Sequence, residues 1–234
     1  MVYYFTAKVS SASSELDDFG LGDESETTTA IIYMGRDKVE NDPLIKHSHP
    51  KNIWFHVDNY SSAHLYLQLT KEELVSPKPF DKFTIEENLL TQIAQLTKAN
   101  SIKGNKLNNI TVIYTPVENL HTDGSMDIGT VTFKNPKLVK RIKVVKKENA
   151  IVNKLNKTKT EISTEQFIEE QQQMAREVER ERKAQEKENE LLAKKYEDQR
   201  KRNADPYGDL MSEDNIKHSS NEFRNENWTE EEFM

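Results

Sequence analysis

From Ser163 to Asp205 the chain runs without a single Gly or Pro, and this stretch limits what the rest can fold into. Ser163 and Gln166 form a capping box at its start, which predicts a helix running to about Arg202. A heptad register set from Phe167 places Phe167, Gln171, Met174, Val178, Glu181, Gln185, Glu188 and Leu192 on one seam, and only four of those eight are apolar. Such a seam is too polar for a stable coiled coil. The i,i+4 pairs Glu179–Lys183, Glu190–Lys194, Glu197–Lys201 and Asp198–Arg202 suit a solvated helix instead, at ~0.2–0.5 kcal/mol each. A long element that buries little forces the core into the residues before it. Composition agrees, with 35% hydrophobic against 31% charged residues and a mean hydropathy of −0.84. That is too polar for 234 residues around one core.

The net charge of −7 is unevenly spread. Residues 1–147 hold 18 basic and 18 acidic side chains, residues 148–204 hold 13 of each, and residues 205–234 hold 2 and 9. The excess is therefore confined to the last thirty residues, which are also Asn- and Ser-rich and are predicted to be a disordered acidic tail. A second acidic stretch, residues 10–29, carries Glu15, Asp17, Asp18, Asp23, Glu24 and Glu26 and no base. It reads as an inserted flexible loop, and setting it aside leaves the rest of residues 1–147 at roughly +6. The body is thus basic, and a polyanionic partner is open to it.

The sequence has no cysteine, which removes disulfide frameworks, thiolate zinc sites and cysteine nucleophiles. The most apolar run, Ala30 to Met34, falls far short of the ~20 residues that a spanning helix needs. Val2-Tyr3-Tyr4-Phe5 lacks the basic start and long apolar run of a signal peptide. The expectation is an intracellular protein of the cytoplasm with no transmembrane segment; a nuclear or membrane-associated pool stays open.

Within residues 1–147 the pattern is α+β, a mainly antiparallel sheet with one substantial packed helix. Strands are predicted at Val2–Lys8, Thr28–Met34, Ile53–Asp58, His64–Leu69, Ile110–Tyr114, Gly129–Phe133 and Leu138–Val145. Asp42-Pro43 predicts the start of a short helix to Ser48. Thr84 and Glu87 predict a capping box for an amphipathic helix carrying Ile85, Leu89, Leu90, Ile93 and Leu96. Ile151, Val152 and Leu155 support a further helix to about Lys157. The domain boundary falls after Lys147, where the texture changes. In the hairpin 53–69 the alternation sends Trp54, His56 and Asp58 to one face, with His64, Tyr66 and Gln68 beside them. This is the most organised polar surface the sequence offers.

No Gly-rich phosphate loop and no nucleophile elbow occurs. His47, His49, His56, His64 and Asp58 suggest a metal or hydrolase centre, but the ligand set and the nucleophile, base and oxyanion donors cannot be assembled from them. A non-enzymatic protein without a cofactor is the simpler expectation. The basic set is richer. Arg36, Lys38, Lys103, Lys106 and the run Lys134, Lys137, Lys140, Arg141, Lys143, Lys146, Lys147 accompany Trp54, His56, His64 and Tyr66. Cations neutralise phosphates and flat rings stack on unpaired bases. A Lys-rich strand also guards a sheet edge against aggregation, and both readings fit these residues.

The order of motifs then resembles a known family. Gly35-Arg36-Asp37-Lys38-Val39-Glu40-Asn41 with Leu44, Ile53-Trp54-Phe55-His56-Val57, and Ser62-Ala63-His64-Leu65 resemble the signature elements of the NFACT-R domain. That domain occurs in ribosome-associated quality-control factors and is regarded as an RNA-binding module. Tyr33-Met34-Gly35-Arg36-Asp37-Lys38, Ser61-Ser62-Ala63-His64, Lys98-Ala99-Asn100-Ser101-Ile102, Met126-Asp127-Ile128-Gly129, the charged helix and the terminal Glu232-Phe233-Met234 resemble the coiled-coil domain-containing protein 25 family. In it the domain stands alone before such a helix. The resemblance implies a non-enzymatic nucleic-acid-binding protein, with RNA favoured over DNA and the ribosome as a setting. Arg36 and Lys38 are expected on phosphate, with Asn41 in the same motif. Trp54, His56 and His64 are expected to orient or stack, Trp54 being equally suited to a core, while Lys140, Arg141 and Lys143 widen the basic footprint. Ser62-Ala63 replaces a Gly-Ser of the larger quality-control proteins, whose remaining domains have no counterpart here; tRNA recruitment and peptide elongation do not transfer. The alternative is an adaptor whose helix 163–202 docks on a protein partner or weakly on itself.

Overall fold

The computed structural model describes residues 1–9, 28–76, 78–122 and 129–204. The readings of an acidic loop, of Met126-Asp127-Ile128 and of the acidic tail lie outside these residues. Among the described residues the centre is a sheet of seven strands, every adjacent pair antiparallel, in the order β8-β5-β3-β4-β2-β1-β9. The strands are β1 (Val2–Val9), β2 (Thr28–Gly35), β3 (Ile53–Val57), β4 (Leu65–Gln68), β5 (Ile110–Pro116), β8 (Lys140–Val144) and β9 (Thr160–Ile162). A separate two-stranded ribbon pairs β6 (Leu120–His121) with β7 (Thr132–Phe133). The predicted strand 129–133 thus shrinks to its last two residues and leaves the main sheet.

Period-two alternation divides the strands between two cores. On one face Phe5, Ile32, Phe55, Leu65 and Val112 pack against Leu89, Ile93 and Leu96 of α3 (Glu87–Ala99) and Leu155 of α4 (Asn149–Lys157). On the other, Val2, Tyr33, Trp54, Tyr66 and Ile113 pack against Leu44 of α1 (Asn41–His47) and Phe167 of α5 (Thr164–Ala204). The expected polar surface of the hairpin is therefore a second core. Tyr, Trp and His carry ring bodies that bury well despite a polar tip, and Tyr33 stacks on Tyr66 at 4.9 Å and 4°.

Local chemistry explains the shifted helix starts. Asp42 caps nothing; Asp37 receives the Val39 N–H (3.0 Å) and opens a 3₁₀ turn, Lys38–Glu40, that leads into α1. Glu86 stands where the Thr84–Glu87 box is predicted to start α3 and makes no side-chain cap. The full capping box is Thr70–Glu73, on the short α2 (Lys71–Val75).

The largest revision concerns residues 148–180. The compact unit continues past Lys147 to Arg180, since β9 pairs with β1 and Phe167, Gln171 and Val178 are buried. Three of the four apolar residues of the predicted heptad seam, Phe167, Met174 and Val178, are thus used against the chain's own domain. Beyond it lies a second unit, Glu181–Met234, whose helical part is charged. There Lys194 meets Glu190 at 2.8 Å and Lys201 meets Glu197 at 2.9 Å, two of the expected i,i+4 pairs. Among the described residues no helix is long and apolar enough to cross a membrane.

Candidate nucleic-acid interface

Six of the nine expected binding residues, Arg36, Lys38, Asn41, Trp54, His56 and His64, line one cavity of about 610 Å³. It opens where β2 ends, beside the β3–β4 turn and the segment leading into β7. Gly35 ends β2 with little room: a Cβ there lies 3.2 Å from Glu40 Cβ. The Arg36 backbone N–H donates to Glu40 Oε2 at 2.9 Å, which folds the turn and throws the Arg36 and Lys38 side chains outward. Arg36 Nε sits 3.7 Å from Asp37 Oδ2 with both side chains about half exposed, an ion pair worth little in water, so the guanidinium remains available. Gly129 closes the far side. Its N–H donates to Asp42 Oδ1 (3.1 Å), its φ of +73° is left-handed, and a Cβ would press to 3.1 Å on Asn41 and Lys38.

The inner wall is aromatic. Trp54 stacks on His56 at 5.4 Å and 3°, while the His64 ring meets Trp54 edge-on at 5.1 Å and His56 at 5.3 Å. Phe133 adds a fourth ring 5.9 Å from Trp54. Trp54 is 1% and His64 3% exposed, so Trp54 is a core residue rather than an open stacking platform. Trp54 Nε1, His64 Nδ1 and the Tyr66 hydroxyl are buried without a hydrogen-bond partner among the described residues. Burial, aided by neighbouring His56, pushes the His64 pKa down to about 3. Burial also lowers that of His56, against the pull of the Val57 backbone, Asp58 and Ser62. Both imidazoles are neutral at pH 7, so the cationic work at the mouth falls to arginine and lysine. Among the described residues no cluster of three or more acidic or imidazole groups could hold a metal.

Alternation along β8 sorts the remaining three residues. Arg141 lies opposite Ile113, which lines the cavity, and Lys143 opposite Thr111. Arg141 Nε is 3.9 Å from Asp58 Oδ2. Lys140 points to the other face, where its ammonium donates to the carbonyls of Phe80 (3.2 Å) and Phe83 (2.9 Å) and rides over the Phe80 ring. It is thereby removed from the basic footprint, a correction that follows from its even position in the strand. A larger cavity of about 700 Å³ adjoins α2. Its Lys51 is bonded to the carbonyls of Leu74 and Ser76 (2.6 and 2.9 Å), and the expected ring and phosphate contacts lie elsewhere.

The Lys98–Ile102 motif acts from below. Lys98 is fully buried and its ammonium donates to the carbonyls of Leu107 and Gly104, the latter at 3.2 Å; burial and Lys147 lower its pKa. Ser101 Oγ donates to the Ser61 carbonyl (2.7 Å), and the Ala63 N–H donates to the Asn100 carbonyl (3.1 Å). The β3–β4 turn and the 101–107 loop are thus clipped together at the cavity's edge. Replacing Lys98 with Met keeps the stem and leaves those carbonyls without their donor, an expected loss of about 2 kcal/mol. Chemical denaturation measures it, and an unchanged midpoint would show the clip to be dispensable. Sequence reasoning misses Tyr60, Ile113 and Phe133 as lining residues. Tyr60, the aromatic among Asn59, Ser61 and Ser62 between two predicted strands, is the one carrying a readable signal.

Compared with known proteins, residues 1–135 match the family described as the NFACT protein RNA binding domain. The chain is 45% identical over 161 residues to coiled-coil domain-containing protein 25 of Mus musculus, covering 69% of this chain and 67% of the relative. It is 41% identical over 129 residues to the Dictyostelium discoideum homologue, covering 55% and 59%. A solved structure, the C-terminal part of a fibronectin/fibrinogen-binding protein from Streptococcus suis, is 22% identical with a TM-score of 0.43, over 56% of this chain and 45% of that one.

Proposed function

The chain belongs to the coiled-coil domain-containing protein 25 family and carries an NFACT RNA-binding domain, and from that premise we propose that it binds RNA at the cavity beside Arg36. Arg36 and Lys38 neutralise phosphate, His56 and the rim provide ring contacts, and Arg141 and Lys143 extend the positive field along the same sheet face. The chain acts as a binding module without a reaction of its own. Its setting is the cytoplasm, with ribosomal RNA as the natural target. What carries the reading is the convergence of Arg36, Lys38 and the imidazole pair on one cavity.

A salt series tests it. Each phosphate contact releases counterions, so affinity falls steeply with salt. Changing Arg36 and Lys38 together to Ala reduces the magnitude of the log–log slope by about 2 and weakens every RNA sequence alike. Absence of binding at low salt, in the full chain and in a chain shortened by the acidic residues 205–234, overturns the proposal. A second reading, a helical adaptor, rests on Leu191, Leu192 and Tyr196, all exposed on α5. It now concerns the part of the helix beyond Arg180.

A further inference from the structure

Two large side chains at the cavity's mouth are left in water by a stiff scaffold. Ile102 is 79% exposed, the highest value among the exposed large hydrophobics of the described residues, and Tyr60 is 36% exposed. Both line the same cavity. Neither belongs to a slack loop. Ser62 and Ser101 form a β-bridge, Ser62 Oγ receives the Val57 N–H (3.1 Å), and Asn59 takes the left-handed φ of 63° that tightens the turn. On the other side Lys98 spends a buried charge on holding the 101–107 loop.

An isolated exposed apolar side chain is ordinary. A pair at one opening is less so when the wall behind carries two ring nitrogens without partners among the described residues, Trp54 Nε1 and His64 Nδ1, on residues more than nine-tenths buried. The charge fits the same occupant: Arg36 and Lys38 line the cavity with Tyr60 and Ile102, and Lys103, next in sequence to Ile102, is exposed. A flat ring with an apolar face, a polar edge and a phosphate on each flank matches all of these features. A nucleobase has that form only when it is unpaired, because a duplex hides both its faces and its pairing edge.

We propose that Tyr60 and Ile102 clamp one unpaired nucleobase at this mouth, which makes single-stranded RNA the preferred ligand. The inference rests on the RNA-binding reading above and adds the state of the strand and the residues that select it. The base lies between the tyrosine ring and the isoleucine with its polar edge toward the Trp54–His64 wall, and its flanking phosphates lie on Arg36 and Lys103.

The test uses the full chain and three fluorescent probes of one length: a mixed-sequence RNA strand, the same sugar-phosphate strand with every base removed, and the blunt duplex. The intact strand is expected to bind about tenfold tighter than either of the others, the range that stacking of one base supplies. Tyr60→Ser and Ile102→Ser, both on exposed side chains, each lower affinity for the intact strand about fivefold or more and leave the salt slope unchanged. Equal binding of the intact and base-free strands overturns the clamp, as does tighter binding of the duplex or parental affinity in both variants. Those three outcomes leave the RNA-binding reading standing, whereas failure of all three probes to bind at low salt overturns that reading itself.

Discussion

Phe167→Ala is expected to cost about 3–5 kcal/mol, the range for emptying a buried aromatic site. Phe167 is fully buried, its ring 5.1 Å from that of Tyr33, in the core that also holds Val2, Trp54 and Tyr66. The element that carries it is tied down on both sides. The Phe167 N–H donates to the Ser163 carbonyl (3.1 Å), the Tyr4 hydroxyl donates to Glu170 (3.2 Å), and Gln171 Oε1 accepts the His49 N–H (3.4 Å). Two turns further on, Met174 and Val178 pack into the opposite core. Leu192 holds an equivalent heptad position but is 41% exposed, and Leu192→Ala is expected to stay within about 0.5 kcal/mol. Urea denaturation separates the two: the midpoint drops for Phe167→Ala and holds for Leu192→Ala. If both variants were equally mild, the first part of α5 would not be part of the domain. A zipper would instead show comparable losses at both seam positions and a midpoint that depends on protein concentration.

That contrast shows why the helix was only half legible in the sequence. Its existence follows from the absence of Gly and Pro and from the i,i+4 charges, both local properties. What it packs against is not local. Phe167, Met174 and Val178 read as a failing zipper because periodicity reports that a stripe is apolar, without saying which surface meets it. The short β9 is invisible for the same reason: Thr160-Glu161-Ile162 has no alternation of its own and is a strand because β1 presents an open edge at Val2–Tyr4. Long elements with strong alternation, such as β1, β2, β3 and α3, are recovered to within a few residues. The caps are less secure. A Ser/Thr-x-x-Glu pattern occurs at both Thr70 and Thr84, and only tertiary placement selects Thr70.

The site is legible in the sequence as a set of residues, while the cover over its rings is not. Alternation correctly puts Trp54, His56, His64 and Tyr66 on one face of the hairpin. Their polar tips suggest exposure, yet a ring that carries one polar atom is mostly carbon, and α1, α5 and the β6–β7 ribbon cover that face. Composition, by contrast, groups Lys140 with Arg141 and Lys143, and strand geometry alone separates them. Of the cations that remain, Arg36 and Lys38 line the opening at the end of β2, and Arg141 lies opposite its lining residue Ile113.

Covering those rings has a consequence for acid stability. An unfolded histidine titrates near 6.5, while in the folded chain burial pushes His64 down to about 3. Between those values the unfolded chain binds a proton that the folded one refuses, so stability is complete above pH 7 and is lost as the pH falls below 6.5. For a single site the loss runs at about 1.4 kcal/mol per pH unit, which gives roughly 2 kcal/mol by pH 5. His56, also lowered by burial, adds in the same direction. Most carboxylates are still ionised at pH 5, so the window between pH 7 and 5 belongs chiefly to the imidazoles. Urea midpoints across that window should fall steeply for the parent chain. They should fall less steeply for His64→Leu, whatever its stability at pH 7, because the variant has no proton to take up at that position. A parental stability flat from pH 7 to 5, or an equally steep loss in His64→Leu, would show that His64 takes up its proton equally in the folded and unfolded chains. The wall would then present a cation to the ligand only below about pH 6.5, and phosphate would be drawn inward past Arg36 in acid alone.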